Sequence, residues 1–388
     1  MRNLESRFLS IDTPAILIDM DKLEENISTM SSEAREAGIG LRPHVKVHEC
    51  AFIAKKQIEE GAIGIEVGAI AQAVAMTEQG ITDIVIAHPG FYGGLKGASL
   101  KRILKNPRIK VTLVVDMLEQ VEILSRIAKS TGRDIPVLIK IDLGRLSRFG
   151  IQPGKPVIDF AHRLSKYAGI YFTGIYGHEM GTDSTQESKD RIAFEAGKIM
   201  SDLAVSLRNH GFKVEHVSLG ASSTFRSTCR FIKEGKLDDI TEIHPGQCVV
   251  GDIHYMKMGG NAKENIAISV LSTVMSTSHS DWAMIDAGYK TFGADAMISH
   301  VHDEGFLWQG KPSFGVVRGR PDLWFGRLSA ETGSIYYMDS KKKLQLGERL
   351  EIVPNNATLI INIHDVIYGV RENAVEKVIS VTGRGRGS

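Results

Sequence analysis

Residues 42–48 read Arg-Pro-His-Val-Lys-Val-His, one lysine set between two histidines behind a proline. A lysine amine becomes a nucleophile toward a carbonyl carbon when nearby cations and removal from water lower its pKa. Arg42 or His48 is such a cationic neighbour, and Pro43 restricts the backbone that presents Lys46. The chemistry this spacing offers is covalent capture of a carbonyl cofactor. A solvated loop lysine beside two hydrogen-bonding histidines is the plainer alternative.

Other residues bear on that choice. His88, Asp142 and His178 each close a short apolar run, after "IVIA", "VLIKI" and "GIYG". "SLGASS" (218–223) follows a further run and offers backbone N–H groups at a strand-to-helix junction, where a phosphate binds well. "HPGQCVVGD" (244–252), which contains His244 and Cys248, is a second small-residue loop placed to close the other side of that phosphate. His300, His302, Asp303, His364 and Asp365 have ligand-type side chains, but their context does not force a metal.

The elements that must position these groups alternate. "AILID" (15–19), "IGLRPHVK", "AIGIEVG", "ITDIVIAHP", "IKVTLVVD", "IPVLIKIDLG", "YFTGIYGHE" and "KVEHVSLG" are apolar runs rich in Val and Ile, separated by amphipathic stretches. Strands apolar on both faces suit a parallel sheet covered by helices, and eight such units predict a (β/α)8 TIM-type barrel over 13–250. A doubly wound open sheet is the alternative. Reactive side chains then belong at the C-terminal strand ends, where Lys46, His88, Asp142, His178 and the 218–223 turn all fall. Beyond 250 the β-formers follow one another without long helices, which predicts a C-terminal antiparallel β domain over 251–380. The N-terminal strand within 1–20 is free to join either domain, and the polar tail 381–388 is expected to be disordered.

Composition narrows the partners. There are 47 basic and 46 acidic residues, so no charge excess argues for nucleic acid or an anionic membrane. Three scattered cysteines, Cys50, Cys229 and Cys248, make neither a disulfide framework nor a CxxC metal knuckle and fit a reducing compartment. Polar residues interrupt every apolar run near the start, and no window reaches membrane-span length. The expectation is a soluble cytoplasmic protein acting on a small molecule.

"TPAILID", "RPHVKVH", "GIEVGAIAQAVAMTEQGITDIVIAHP", "VLIKIDLGRLSRFGI", "EIHPGQCVVGD" and "VPNNA…HDVIYGVR" together resemble the D-threonine aldolase/D-serine dehydratase family, from about Thr13 to Arg371. These are fold-type III pyridoxal phosphate (PLP) enzymes with an alanine-racemase-like barrel. The resemblance implies that Lys46 is the Schiff-base lysine and that Gly220, Ala221 and Ser222 hold the cofactor phosphate. It places His178 and Arg148 beside the cofactor, with His44 and His244 in the same surroundings. It also implies a homodimer in which active sites are shared between one barrel and the partner's β domain. The chain departs from the family where a divalent metal is bound: "PNNAT" puts Asn356 and Thr358 at the ligand positions, the histidine expected near 181 is missing, and "AETG" stands at 330–333. An amide and a hydroxyl are poor substitutes for imidazole and thiolate.

Three functions follow from this reading. The first is a PLP-dependent lyase of the aldolase/dehydratase type on a small D- or β-hydroxy amino acid, working without the divalent metal. The second is a metal-free amino-acid racemase or epimerase, which needs a base on each face of Cα: Lys46, and one of Cys248, His178, His254 or Tyr255. The third is a PLP-binding protein without turnover. Arg226 and Arg230, just after the phosphate turn, leave an acidic substrate open.

Overall fold

The computed structural model describes residues 8–144, 149–179, 184–260, 265–293, 307–338 and 341–387. The chain divides into two compact units. The first comprises Ile27–Lys46 and Ala51–Gly246; the second takes in the N-terminal residues up to Asn26, Val47–Cys50 and Gln247–Gly385.

Among the described residues, eight parallel strands of the first unit form one sheet. Their order is Gly40–Leu41, Glu242–Ile243, His216–Leu219, Ile170–Tyr176, Ile135–Lys140, Lys110–Val115, Asp83–Ile86 and Ile65–Val67. The two ends of that order meet. His44 and Glu66 form a parallel bridge, and the Ile63 and Glu66 N–H groups donate to the Leu41 and Pro43 carbonyls at 2.9 Å. The sheet therefore closes into the (β/α)8 barrel that the count of units predicts.

Side chains alternate across each strand, and the two faces differ in kind. Ile65, Val67, Ile84, Ile86, Leu113, Val115, Val137, Ile139, Val217 and Leu219 point outward and pack with Val74, Leu100, Leu124, Ala161 and Ala204 of the surrounding helices. The inner positions carry Arg42, Glu66, Lys140, Tyr176, Ser218 and Glu242. Strands apolar on both faces were the expectation; it holds for Asp83–Ile86, Lys110–Val115 and most of Ile135–Lys140, whose inward Val85, Val114 and Leu138 form a small buried cluster with Ala87 and Tyr176, while the other strands furnish polar groups to the interior.

One strand reaches this arrangement through a bulge. Val137 pairs with Phe172, but Leu138 pairs with Gly174, so Ile170–Tyr176 contains one extra residue. Phe172 and Ile175, three apart, both join the outer core, and beyond the bulge Tyr176 and His178 turn inward. Gly174 has a φ of +155°, and a Cβ there would run into the His216 carbonyl.

The second unit is an antiparallel-rich sheet centred on Ile268–Ser276, which pairs with Trp282–Ile285, Arg349–Pro354 and Ala15–Asp19. Ala15–Asp19 also pairs in parallel with Val366–Arg371. "AILID" thus does not serve as a barrel strand; the eighth is Glu242–Ile243, within a segment whose two-residue length hid its period from the sequence. Residues 381–387 also differ from a disordered tail: Val381 is buried, its N–H donates to Asp365 O, and Gly383 N–H donates to Glu49 O at 2.8 Å. No helix of the described residues is long and apolar enough to cross a membrane.

Candidate active site

The C-terminal ends of the barrel strands bring together most of the residues singled out above. Gly40–Leu41 leads into a turn, Val45–Val47, that carries His44 and Lys46. Asp83–Ile86 delivers His88, Ile135–Lys140 ends on Lys140, Ile170–Tyr176 leads to His178 and Glu179, and Glu242–Ile243 delivers His244. His216–Leu219 runs into Gly220, Ala221 and Ser222, just ahead of the helix Phe225–Lys233.

Lys46 is exposed to water, yet protein surrounds it closely enough to desolvate its ammonium group. The two coexist because the side chain stands in a recess. Burial lowers its pKa, and the charge of Glu66 opposes the shift. The Lys46 N–H donates to His44 Nδ1 at 3.3 Å, which leaves the proton of neutral His44 on Nε2. That Nε2 lies 4.0 Å from Glu66 Oε2 and has no hydrogen-bond partner.

The other imidazoles are held differently. His178 Nδ1 lies 3.0 Å from the Gly220 carbonyl, so it carries the proton and leaves Nε2 as an acceptor. His244 Nδ1 meets Ser218 Oγ at 3.0 Å, its ring stacks on Tyr176 at 4.5 Å, and its Nε2 is buried without a partner. His88 is exposed at the strand ends, 6.0 Å between ring centres from His44. Desolvation first, and then the Lys46 charge, lowers His178 to about 3 and His88 to about 4. His44 and His244 are also well below the ordinary histidine value, chiefly through burial. All four are neutral at pH 7.

Sequence reasoning missed three buried members of the group. Lys140 sits 4.4 Å above the Tyr176 ring, and burial brings its pKa down to about 8 against the pull of Glu66. Glu66 is fully buried with neither oxygen hydrogen-bonded, and desolvation raises it to about 8. Tyr176 faces it. The signal was present as period-two polar positions in "GIEVG", "LIKID" and "GIYGHE".

The phosphate turn differs in detail from expectation. Gly220 N–H is engaged by Glu179 Oε2 at 3.1 Å, and Thr224 Oγ1 donates to Glu179 Oε1 at 2.6 Å. Ser222 Oγ accepts from Gly246 N–H at 3.0 Å, fastening this turn to the loop after His244. Gly246 is needed there because a Cβ would sit 2.6 Å from the His44 carbonyl.

Other candidates are placed differently or lie outside what the structure describes. Arg148, His300, His302, Asp303 and position 181 lie outside the described residues. Cys248 belongs to the second unit and is 1% exposed. Asp142 accepts from Gly144 N–H and from Gln152, closing its own loop. Arg226 pairs with Glu33 at 3.1 Å and Arg230 with Asp190 at 2.8 Å, all on helices outside the barrel or the loop beside them. Their ion pairs give no support to an acidic substrate.

Comparison with known proteins agrees with this architecture. The family model "Alanine racemase, N-terminal domain" matches residues 18–253, and "Putative serine dehydratase domain" matches 267–370. A D-threonine aldolase from Arthrobacter sp is 26% identical over 97% of this chain and 93% of its own length. A D-threo-3-hydroxyaspartate dehydratase from Delftia sp. (strain HT23) is 28% identical over 91% and 93%. The crystal structure of D-threonine aldolase from Filomicrobium marinum superposes with a TM-score of 0.84 at 27% identity, covering 98% of this chain and 97% of that one. With a family model spanning well over half of its length, the chain belongs to the alanine racemase N-terminal domain family, in the form that joins this barrel to a serine-dehydratase-type domain.

Proposed function

We propose that the protein is a PLP-dependent lyase that acts at Cα of a small D-β-hydroxy amino acid. The observation that carries this reading is Lys46: a water-accessible amine of lowered pKa, ringed by neutral imidazoles at the C-terminal mouth of a barrel. Relatives named as aldolases and dehydratases match over nine-tenths of the chain, which supports a lyase.

The residues present fit the cofactor. The buried Nε2 atoms of His44 and His244 have no partner. Lys46 would hold the cofactor carbonyl, and the turn Gly220–Ser222 would hold its phosphate. With Gly220 N–H engaged by Glu179, the amides from Ala221 onward are the ones suited to the anion. When bound, PLP supplies an electron sink that stabilises negative charge at Cα. Lys46 moves a proton at Cα on its own face, and His178 Nε2, its tautomer fixed by the Gly220 carbonyl, accepts a hydrogen bond from substrate.

The residues at 356 and 358 do not fit a divalent metal. Asn356 caps the helix Ala357–Asn362, its side-chain oxygen accepting from Leu359 N–H at 3.4 Å, and Thr358 has only a hydroxyl to offer. The proposed reaction therefore takes no step through a metal. The same residues favour a second reading, an amino-acid racemase or epimerase, in which Cα proton exchange is the whole reaction. A cytoplasmic homodimer with shared sites completes the proposal, and sedimentation velocity checks the dimer.

The test is proton NMR of the EDTA-treated, PLP-loaded protein in D2O with a panel of D- and L-amino acids. Glycine with an aldehyde, or a keto acid with ammonia, is the expected result. Loss of the α-proton with the enantiomer appearing replaces the lyase by a racemase. No change across the panel, with Lys46 still carrying PLP, leaves a PLP-binding protein without turnover.

A further inference from the structure

We propose that His88 is a catalytic base that removes the proton of the substrate's β-hydroxyl, which makes the reaction an aldol cleavage rather than a dehydration. The inference rests on the lyase reading above.

Four imidazoles stand at the barrel mouth, and three are already committed. His44 is 6% exposed and takes the Lys46 amide proton on Nδ1. His244 is 2% exposed and bonded to Ser218. His178 is half-buried and bonded to the Gly220 carbonyl. His88 alone among the described mouth histidines is exposed, and neither of its ring nitrogens bonds to a described residue. An imidazole whose polar atoms are satisfied by water alone is free to accept a proton from a bound molecule.

Its orientation is nonetheless fixed by packing. The ring lies near-parallel to Phe149 with 6.2 Å between centres, and on the other side it rests against Gly68. A Cβ on Gly68 would lie 3.1 Å from both Cε1 and Nδ1 of His88, closer than ordinary contact. The glycine at the end of Ile65–Val67 therefore makes room for this ring beside the lysine. A surface histidine of no consequence would need neither the apolar wall nor the missing side chain.

The chemistry calls for such a group. With an amide at 356 and a hydroxyl at 358, no divalent ion is available to acidify the β-hydroxyl, and a neutral imidazole does it instead. The β-hydroxyl proton passes to a His88 ring nitrogen and the oxygen becomes the aldehyde carbonyl. The Cα–Cβ bond breaks, its electron pair remains on Cα, and a proton delivered there from the Lys46 side completes glycine. The His88 proton then returns to water. A neutral imidazole accepts a proton in this step, whereas expelling the hydroxyl as water needs a proton donor.

The experiment compares PLP-loaded wild type, His88→Ala and His88→Gln in D2O. One readout is exchange of the glycine α-proton, which needs the cofactor and Lys46 but no hydroxyl. The other is aldehyde release from D-threonine and D-phenylserine. Expected for both variants are an unchanged visible spectrum, glycine exchange within about twofold of wild type, and aldehyde release lower by about 10²-fold or more. Gly68→Ala, which displaces the ring without removing it, is expected to show a smaller loss confined to the second readout. Undiminished aldehyde release from His88→Ala overturns the assignment, as does an equal fall in both readouts, which marks a structural role. If wild type exchanges glycine but releases no aldehyde from either substrate, the cleavage assignment falls, and a keto acid in its place preserves only the lyase reading.

Discussion

The barrel interior carries two groups of charge with opposite fates. Toward the N-terminal strand ends, Arg42 donates to Asp83 at 2.6 Å and to Glu242 at 3.3 Å, and His216 lies 3.7 Å from Glu242. Burial works against Glu242, but His216 and Arg42 hold it at about 2. Toward the C-terminal ends, Glu66 is as deeply buried with both oxygens unbonded, and it sits at about 8. These are two glutamates on the inner face of one barrel, and only one has compensation at ion-pair distance; Tyr176, Lys46 and Lys140 oppose the rise of Glu66 without overcoming its burial. Compensation gives a rigid plug at one end; its absence at the other leaves groups that change charge near neutral pH, where acid–base chemistry needs them.

Lys46→Ala tests the uncompensated end most severely. It is expected to abolish the visible signature of lysine-bound PLP and to lower turnover by about 10³-fold or more, while the thermal midpoint stays unchanged. Arg42→Met tests the other end. It strands Glu242 in the interior, and urea denaturation should report a loss of about 3–5 kcal/mol. Equal stability losses from the two variants would erase the distinction between the ends.

The pH dependence of stability separates the two glutamates by sign. Glu242 has a folded value of about 2 against 4.5 for an ordinary glutamate, so its contribution is present above 4.5 and is lost as pH falls through about 2. Glu66 has a folded value of about 8 against the same 4.5, so the folded state binds its proton more tightly. Its favourable contribution is full below 4.5 and declines as pH rises toward 8. Glu66→Gln is therefore expected to be neutral near pH 4.5 and stabilising at pH 8, by about 1–3 kcal/mol for relief of an unbonded buried group. Thermal melts of both proteins across pH 4–9 check this, and parallel curves would contradict it.

Much of this was legible in the chain, and the gaps have physical causes. Val and Ile repeat along the strands because their outer face packs on helices, and that repeat located seven of the eight barrel strands. The eighth, Glu242–Ile243, is too short to display a period, and Ala15–Asp19 has the composition of a barrel strand while pairing elsewhere. Lys46, His44, His178 and His244 were found because they stand at or beyond strand ends, where a polar residue after an apolar run is conspicuous. Glu66 lies within its strand, and Lys140, though the last residue of its own, is followed by another apolar residue, Ile141, so each looks like ordinary alternation. Only burial distinguishes them, and burial is a property of the closed ring rather than of any one segment.

The extra residue in Ile170–Tyr176 acts as a phase shift in a period-two signal. Upstream of it one parity of residue number faces the helices; downstream the other does. Straightening the bulge with every residue kept would alter no charge and remove no chemical group from the recess, yet it would send Tyr176 and His178 outward and bring Ile175 in. The same holds when this chain is aligned with a relative. A one-residue gap placed on the wrong side of Gly174 exchanges the lining of the recess for the lining of the helix layer, at almost no cost in apparent similarity.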